Sequence, residues 1–167
     1  MTPALTAPEA AGRLVAEAVR RQLTLATAES LTGGALAAAL VDVAGASGCF
    51  EGAVVCYSNR VKSEVLGVPA PLLAERGSVD PDVAIAMAEG ARRRLGTDWA
   101  VSTTGVAGPE PHDGKAVGTV YLGLAGPAGS TVHELSLAGD RVAVRAATVV
   151  AALERLEAVI APPVNSQ

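Results

Sequence analysis

Residues 23–41 read Leu23-Thr-Leu-Ala-Thr-Ala28, then Glu29-Ser-Leu-Thr-Gly-Gly34, then Ala35-Leu-Ala-Ala-Ala-Leu-Val41. The first piece is a short apolar run of strand length, the second a turn with paired glycines, and the third a run of helix formers. Strand, turn and helix in direct succession place the chain among α/β proteins. Small polar residues straight after a buried strand also mark a place for a ligand, because open α/β sheets bind outside the carboxyl ends of their strands.

Working outward, the same alternation continues. Thr6-Ala-Pro-Glu9 has the form of a capping box with Pro8 in the first turn, and Leu14, Val15, Ala18 and Val19 follow at helical spacing to about Gln22. Beyond the opening stretch, Asp42–Gly48 reads as a loop and Gly52–Ser58 as a strand. Ser58 or Asn59 caps a short helix through Lys62 and Leu66, stopped by Gly67. Pro71–Arg76 predicts another short helix, and Asp80-Pro81 opens a longer one to Leu95 with Gly96 as its stop. Arg92, Arg93 and Arg94 suit the dipole at its last turn. Asp98–Thr104 is a strand, Gly108–Lys115 a polar loop, and Ala116–Ala125 with Ser130–Leu137 a strand pair across Gly126-Pro-Ala-Gly129. Asp140 caps a last helix to about Ile160, ended by Pro162-Pro163. Together these elements predict helices on both faces of a mixed central sheet, a three-layer α/β/α sandwich.

Composition narrows the function. The chain has 167 residues, a length suited to one domain, expected to span 1–167 with its core at about 8–160 and a tail at 161–167. Half of it is apolar, yet aromatics make up 2%, so the core is built from aliphatic residues and 34 alanines. A net charge of −4 and four aromatics (Phe50, Tyr57, Trp99, Tyr121) argue against a nucleic-acid partner, which needs a basic field or a stacking platform. No stretch reaches the roughly 18 uninterrupted apolar residues of a membrane span, and the N-terminus lacks the form of a leader, so a cytoplasmic protein is expected. Cys49 and Cys56 have neither zinc spacing nor a disulfide framework, and His112 and His133 have no carboxylates at ligand spacing. No metal and no cofactor are expected.

Three segments follow strands and carry small polar residues: Ala28-Glu-Ser-Leu-Thr-Gly-Gly34, Tyr57-Ser-Asn59 and Thr103-Thr-Gly-Val-Ala-Gly-Pro109. The helix start at Ser30–Gly34 offers free N–H groups for an anion, although no Gly-Lys-Ser/Thr follows as in a P-loop. Against eleven arginines the chain has two lysines, Lys62 and Lys115. Lys62 stands five residues after Tyr57, and a desolvated lysine, unlike arginine, can serve as a base.

These segments, together with Gly45-Ala-Ser47, Leu66-Gly-Val68, Met87-Ala-Glu-Gly-Ala-Arg92, Val117-Gly-Thr-Val120 and Gly139-Asp-Arg141, resemble the CinA carboxy-terminal domain family over about residues 8–160. The resemblance implies an α/β/α amidohydrolase that deamidates nicotinamide mononucleotide to nicotinic acid mononucleotide and ammonia. It also implies a stand-alone form that assembles as a homodimer or higher homo-oligomer. By the same resemblance Ser47 matches the nucleophile, Lys62 its base and Tyr57 the catalytic tyrosine, with Ser30 as a rival nucleophile. Oxyanion donors are expected in the Gly45–Gly48 loop. Ser30, Thr32, Gly33, Gly34, Asn59, Thr104 and Gly105 match the substrate-binding segments, and Arg141 or Arg145 the phosphate site, with Arg141 favoured by its Gly-Asp-Arg setting. Departures are Leu31 in place of a frequent cysteine, Ala46 in place of a serine, and Glu110-Pro-His-Asp-Gly-Lys115 in place of a glycine run. The altered loop keeps an alternative open, a nucleotide-binding module without turnover.

Overall fold

Among the described residues five strands assemble into one sheet: β1 (Leu25–Glu29), β2 (Phe50–Val55), β3 (Trp99–Gly105), β4 (Thr119–Gly126) and β5 (Gly129–Ser136). The structure, a computed structural model, describes residues 5–161. The expected Pro162-Pro163 helix stop and the tail from residue 162 onward lie outside the described residues. Strand order is β2-β1-β3-β4-β5. β1 pairs in parallel with β2 and β3, whereas β3–β4 and β4–β5 are antiparallel. The sheet is therefore mixed, as the sequence predicts.

Among the described residues six helices cover it: α1 (Ala7–Arg20), α2 (Ala35–Val41), α3 (Asn59–Leu66), α4 (Ala70–Arg76), α5 (Pro81–Leu95) and α6 (Arg141–Ile160). The Thr6 capping box forms as expected, with the Glu9 carboxylate accepting from the Thr6 N–H at 2.8 Å. Side chains of successive strand residues point to opposite faces. Leu25, Val101, Leu122 and Leu124 join Leu14, Leu36, Leu40, Leu153 and Leu156 on the α1/α2/α6 face. Ala26, Ala28 and Ala100 meet Leu66, Leu73, Val83 and Met87 on the α3/α4/α5 face.

One register irregularity corrects the sequence reading of β2. Leu25 pairs with Phe50 but Ala26 pairs with Gly52, so Glu51 is an extra residue, a bulge. The strand runs Phe50–Val55 rather than Gly52–Ser58. Past its end, Cys56 N–H still donates to the Glu29 carbonyl at 2.8 Å, while the Cys56 and Tyr57 carbonyls accept from the Lys62 amine. The Asp42–Gly48 loop contains a 3-10 turn at Ala46–Gly48 that periodicity does not reveal.

The second face is built from small residues that let α5 approach closely. Ser102 Oγ on β3 donates to the Ala84 carbonyl of α5 at 2.6 Å. Gly90 faces α3 so closely that a Cβ there would overlap the Leu66 carbonyl oxygen. Gly90→Ala therefore sets two effects against each other. Alanine gains up to about 1 kcal/mol of helix propensity. Overlap with backbone cannot be relieved by a rotamer change and forces α3 from α5, at about 1–3 kcal/mol or more. The expected outcome is net destabilisation, read as a lower urea midpoint with unchanged m-value, and a rise in midpoint would overturn this account.

Candidate active site

The chain leaves β1 toward β2 on one side and leaves β3 toward β4 on the other. The carboxyl ends of β1 and β3 are thus the switch point where open sheets hold ligands. A cavity of about 420 Å3 opens there, with Ser30, Tyr57, Ser78, Gly108, Glu110 and Arg141 among its walls.

Ser30 sits at the first position after β1. Its N–H donates to the Thr103 carbonyl at 2.9 Å, and its own carbonyl accepts from Gly33 N–H at 3.1 Å, closing a tight turn. Gly33 (φ 59°) and Gly34 (φ 101°) adopt left-handed backbone that side chains disfavour, which explains the paired glycines. The N–H of Leu31, next to Ser30, has no acceptor among the described residues.

Lys62 lies in α3, whose N-terminus is capped by Ser58 accepting from Val61 N–H at 3.2 Å. Helical side chains lean toward the N-terminus, so the lysine reaches back to the residues preceding its own helix. It is fully buried. Its Nζ lies 2.9 Å from Ser30 Oγ, 2.9 Å from the Cys56 carbonyl and 3.4 Å from the Tyr57 carbonyl. Carbonyls only accept, so they take two N–H bonds in either protonation state. When the amine is neutral, its lone pair is left for the Ser30 hydroxyl proton. Burial pushes the Lys62 amine below its ordinary value, with Cys56 and the Asp113 carboxylate opposing that shift. The Cys56 thiol is pushed up to about 11 by burial, which makes it a poor nucleophile.

Arg141, first residue of α6, spans the cavity mouth. One guanidinium nitrogen donates to the Gly108 carbonyl at 2.7 Å and another to the Tyr57 hydroxyl at 3.1 Å. Arg145 is committed elsewhere, to the carbonyls of Leu31 at 2.8 Å and Thr32 at 3.0 Å. Of the two arginines, the geometry thus favours Arg141 as an anion contact.

The 108–115 loop is fastened by Asp113, which accepts from Ser78 N–H at 2.7 Å and Ser78 Oγ at 3.0 Å. Burial raises the Asp113 carboxyl, but these bonds outweigh it and hold it below its usual range. Glu110 lines the cavity while Asp113 turns toward Ser78.

Several expectations need correction. Ser47 does not meet Lys62 within this chain. It is exposed in the 3-10 turn before β2, whereas Lys62 follows β2, and that six-residue strand separates them by roughly 20 Å at about 3.3 Å per residue. Ser30, the rival, occupies the place beside the lysine. The Gly45–Gly48 N–H groups offer no oxyanion site there either. They lie at the far end of the sheet, and Ala46 and Gly48 N–H already donate to Val43 and Gly45 carbonyls.

The helix start at Gly34 is not free for an anion. The buried Glu29 carboxylate accepts from Gly34 N–H at 3.2 Å, Leu36 N–H at 2.9 Å and Ala37 N–H at 2.9 Å. Thr32 is buried, its hydroxyl donating to Glu29 at 2.7 Å, so Thr32, Gly33 and Gly34 shape the turn without lining the cavity. Thr104 is also buried and donates to the Ser78 carbonyl at 2.6 Å, although its neighbour Gly105 does line the cavity. Asn59 is exposed and faces a groove between α3 and α4 instead. The sequence pattern assigns no individual role to Glu29 or Ser78. Ser78 carries no local motif, and its partner Asp113 is 35 positions away.

Residues 8–160 match the family model described as CinA C-terminal domain. The chain belongs to the CinA C-terminal domain family. It is 48% identical over 149 residues, 89% of this chain and 34% of the relative, to a CinA-like protein of Frankia casuarinae. With a CinA-like protein of Geobacter sulfurreducens it shares 53% identity over 135 residues, 80% of this chain and 33% of the relative. The CinA domain here thus spans about one third of the length of these curated relatives. Among solved structures, competence/damage inducible protein CihA from Agrobacterium tumefaciens superposes with a TM-score of 0.89 at 36% identity, covering 95% of this chain and 99% of that one. A CinA superfamily protein from Klebsiella pneumoniae gives 0.90 at 32% identity, covering 93% and 98%. Among the described residues no helix is long and apolar enough to cross a membrane.

A buried lysine leaves a signature in stability. The unfolded chain keeps the Lys62 proton up to the ordinary value of 10.5, whereas the folded chain releases it at lower pH. Between those limits the unfolded state holds more protons, so raising the pH favours folding. The stability of the parent relative to Lys62→Met is expected to rise as pH climbs toward 10.5. Urea titrations from neutral to alkaline pH measure this, and a flat difference would contradict a lowered Lys62.

Proposed function

We propose that this chain hydrolyses the amide of a nicotinamide nucleotide, nicotinamide mononucleotide, with Ser30 as nucleophile and Lys62 as its base. The observation that carries the reading is the buried Lys62 amine 2.9 Å from Ser30 Oγ, held by two backbone carbonyls. Membership of the CinA family supports the substrate, and binding alone has no need of such a pair.

A neutral hydroxyl attacks a primary amide poorly unless a base takes its proton during attack. Ser30 Oγ bonds to the carboxamide carbon while its proton passes to Lys62 Nζ. The resulting oxyanion is received by backbone N–H groups, with Leu31 N–H beside the nucleophile as one donor. Such a donor contributes about 3–4 kcal/mol. The lysine ammonium then protonates the departing nitrogen, the C–N bond breaks and ammonia leaves. Water attacks the nicotinoyl ester, again giving its proton to Lys62, and the proton returns to Ser30 Oγ as nicotinic acid mononucleotide is freed. The cationic pyridinium ring favours the neutral lysine. Glu110 in the cavity wall suits that ring charge and disfavours a phosphate, which leaves Arg141 as the phosphate contact.

Ammonia release from nicotinamide mononucleotide tests the reading. Ser30→Ala is expected to lower kcat by about 10³-fold or more. Lys62→Arg should fall by about 10²–10⁴-fold, because arginine stays protonated. Ser47→Ala should stay within about twofold of the parent. No release by the parent, with the nucleotide still raising Tm, would instead favour the binding module. Full activity of Ser30→Ala beside a dead Ser47→Ala would remove Ser30 from the role.

A further inference from the structure

Glu29 precedes Ser30 and is fully buried. A buried carboxylate without a cation is expensive unless its oxygens are filled with hydrogen bonds. Here Oε1 accepts from Thr32 Oγ1 at 2.7 Å, Gly34 N–H at 3.2 Å and Leu36 N–H at 2.9 Å. Oε2 accepts from Thr27 Oγ1 at 3.2 Å and Ala37 N–H at 2.9 Å. Thr32 Oγ1 lies a further 2.7 Å from Thr103 Oγ1 on β3, and Thr103 also supplies the carbonyl that receives the Ser30 N–H. Within the turn that carries Ser30, the residues Thr32 and Gly34 are therefore tied to the Glu29 carboxylate of β1, and Ser30 and Thr32 to Thr103 of β3.

We propose that Glu29, acting through Thr32, is a positioning residue that fixes the Ser30 turn so that its hydroxyl stays on the Lys62 amine. The α2 N-terminus serves this internal carboxylate rather than a substrate anion. This inference rests on the Ser30–Lys62 reading above but not on the identity of the substrate. A near-attack geometry is sensitive to shifts of about 1 Å, with losses of up to about 10²-fold. In Glu29→Gln the amide nitrogen faces a donor wherever it is turned, because N–H groups bond both oxygens. The turn loosens while Arg141 and the cavity walls outside that turn are untouched.

The test uses phenylmethanesulfonyl fluoride as a probe of Ser30 itself, read by mass spectrometry. Ser30 Oγ forms a bond to sulfur, fluoride leaves and the hydroxyl proton goes to Lys62. Ammonia release from nicotinamide mononucleotide is measured beside it. Glu29→Gln is expected to label at least tenfold more slowly and to lose kcat by a similar factor, with KM within twofold of the parent. Thr32→Val, which keeps the three backbone bonds to Glu29, should follow the same pattern, and Thr32→Ser should recover most of the loss. Should Glu29→Gln fail to fold, the Thr32 pair decides. Labelling and kcat within twofold of the parent in both Glu29→Gln and Thr32→Val would overturn the proposal, as would a raised KM at constant kcat. If the parent labels at Ser30 but releases no ammonia, the nucleotide reading fails while the labelling series still judges Glu29. No labelling of Ser30 in the parent overturns the positioning role together with the nucleophile.

Discussion

The site depends on placing a lysine amine where water cannot solvate it. Lys62 is fully buried and has three neighbours, two of them carbonyls that only accept. Desolvation disfavours the ammonium, and the carbonyls orient whichever form is present. The third neighbour is the Ser30 hydroxyl, so the same burial that weakens the charge prepares a proton acceptor. The backbone just beyond β2 takes part in this, since the Cys56 and Tyr57 carbonyls serve the lysine.

The small-residue composition serves the same end. Ala26, Ala28 and Ala100 give α5 and α3 a shallow sheet surface to rest on, and Gly90 lets the two helices touch. Bulkier residues on that face would lift α3 and carry Lys62 away from the β1 turn. A core poor in aromatics is thus suited to holding helices near the sheet, with close packing replacing the large burial that aromatic side chains provide.

Much of this was legible in the sequence. The capping box, the Gly67 and Gly96 stops and the strand-turn-helix stretch at 23–41 are local signals, and local signals determined the layered mixed sheet. The scarcity of lysine singled out Lys62. What stayed hidden was long-range partnership. Ser47 and Ser30 both sit in turns of small residues, and nothing local says which end of a strand each occupies. That depends on whether the serine precedes or follows the strand beside the lysine. The bulge at Glu51, the filling of the α2 N-terminus by Glu29 and the Ser78–Asp113 tie arise from tertiary contacts that periodicity does not encode.

Tyr57 touches both ends of the cavity. Its carbonyl accepts from Lys62, while its hydroxyl accepts from Arg141. One tyrosine thus reaches from the amine to the guanidinium, bonding the first through its backbone and the second through its phenol. On the reading proposed above, a ligand with a reactive carbonyl at one end and an anion at the other would lie alongside that ring, and its span would have to match the distance between the two groups that Tyr57 touches.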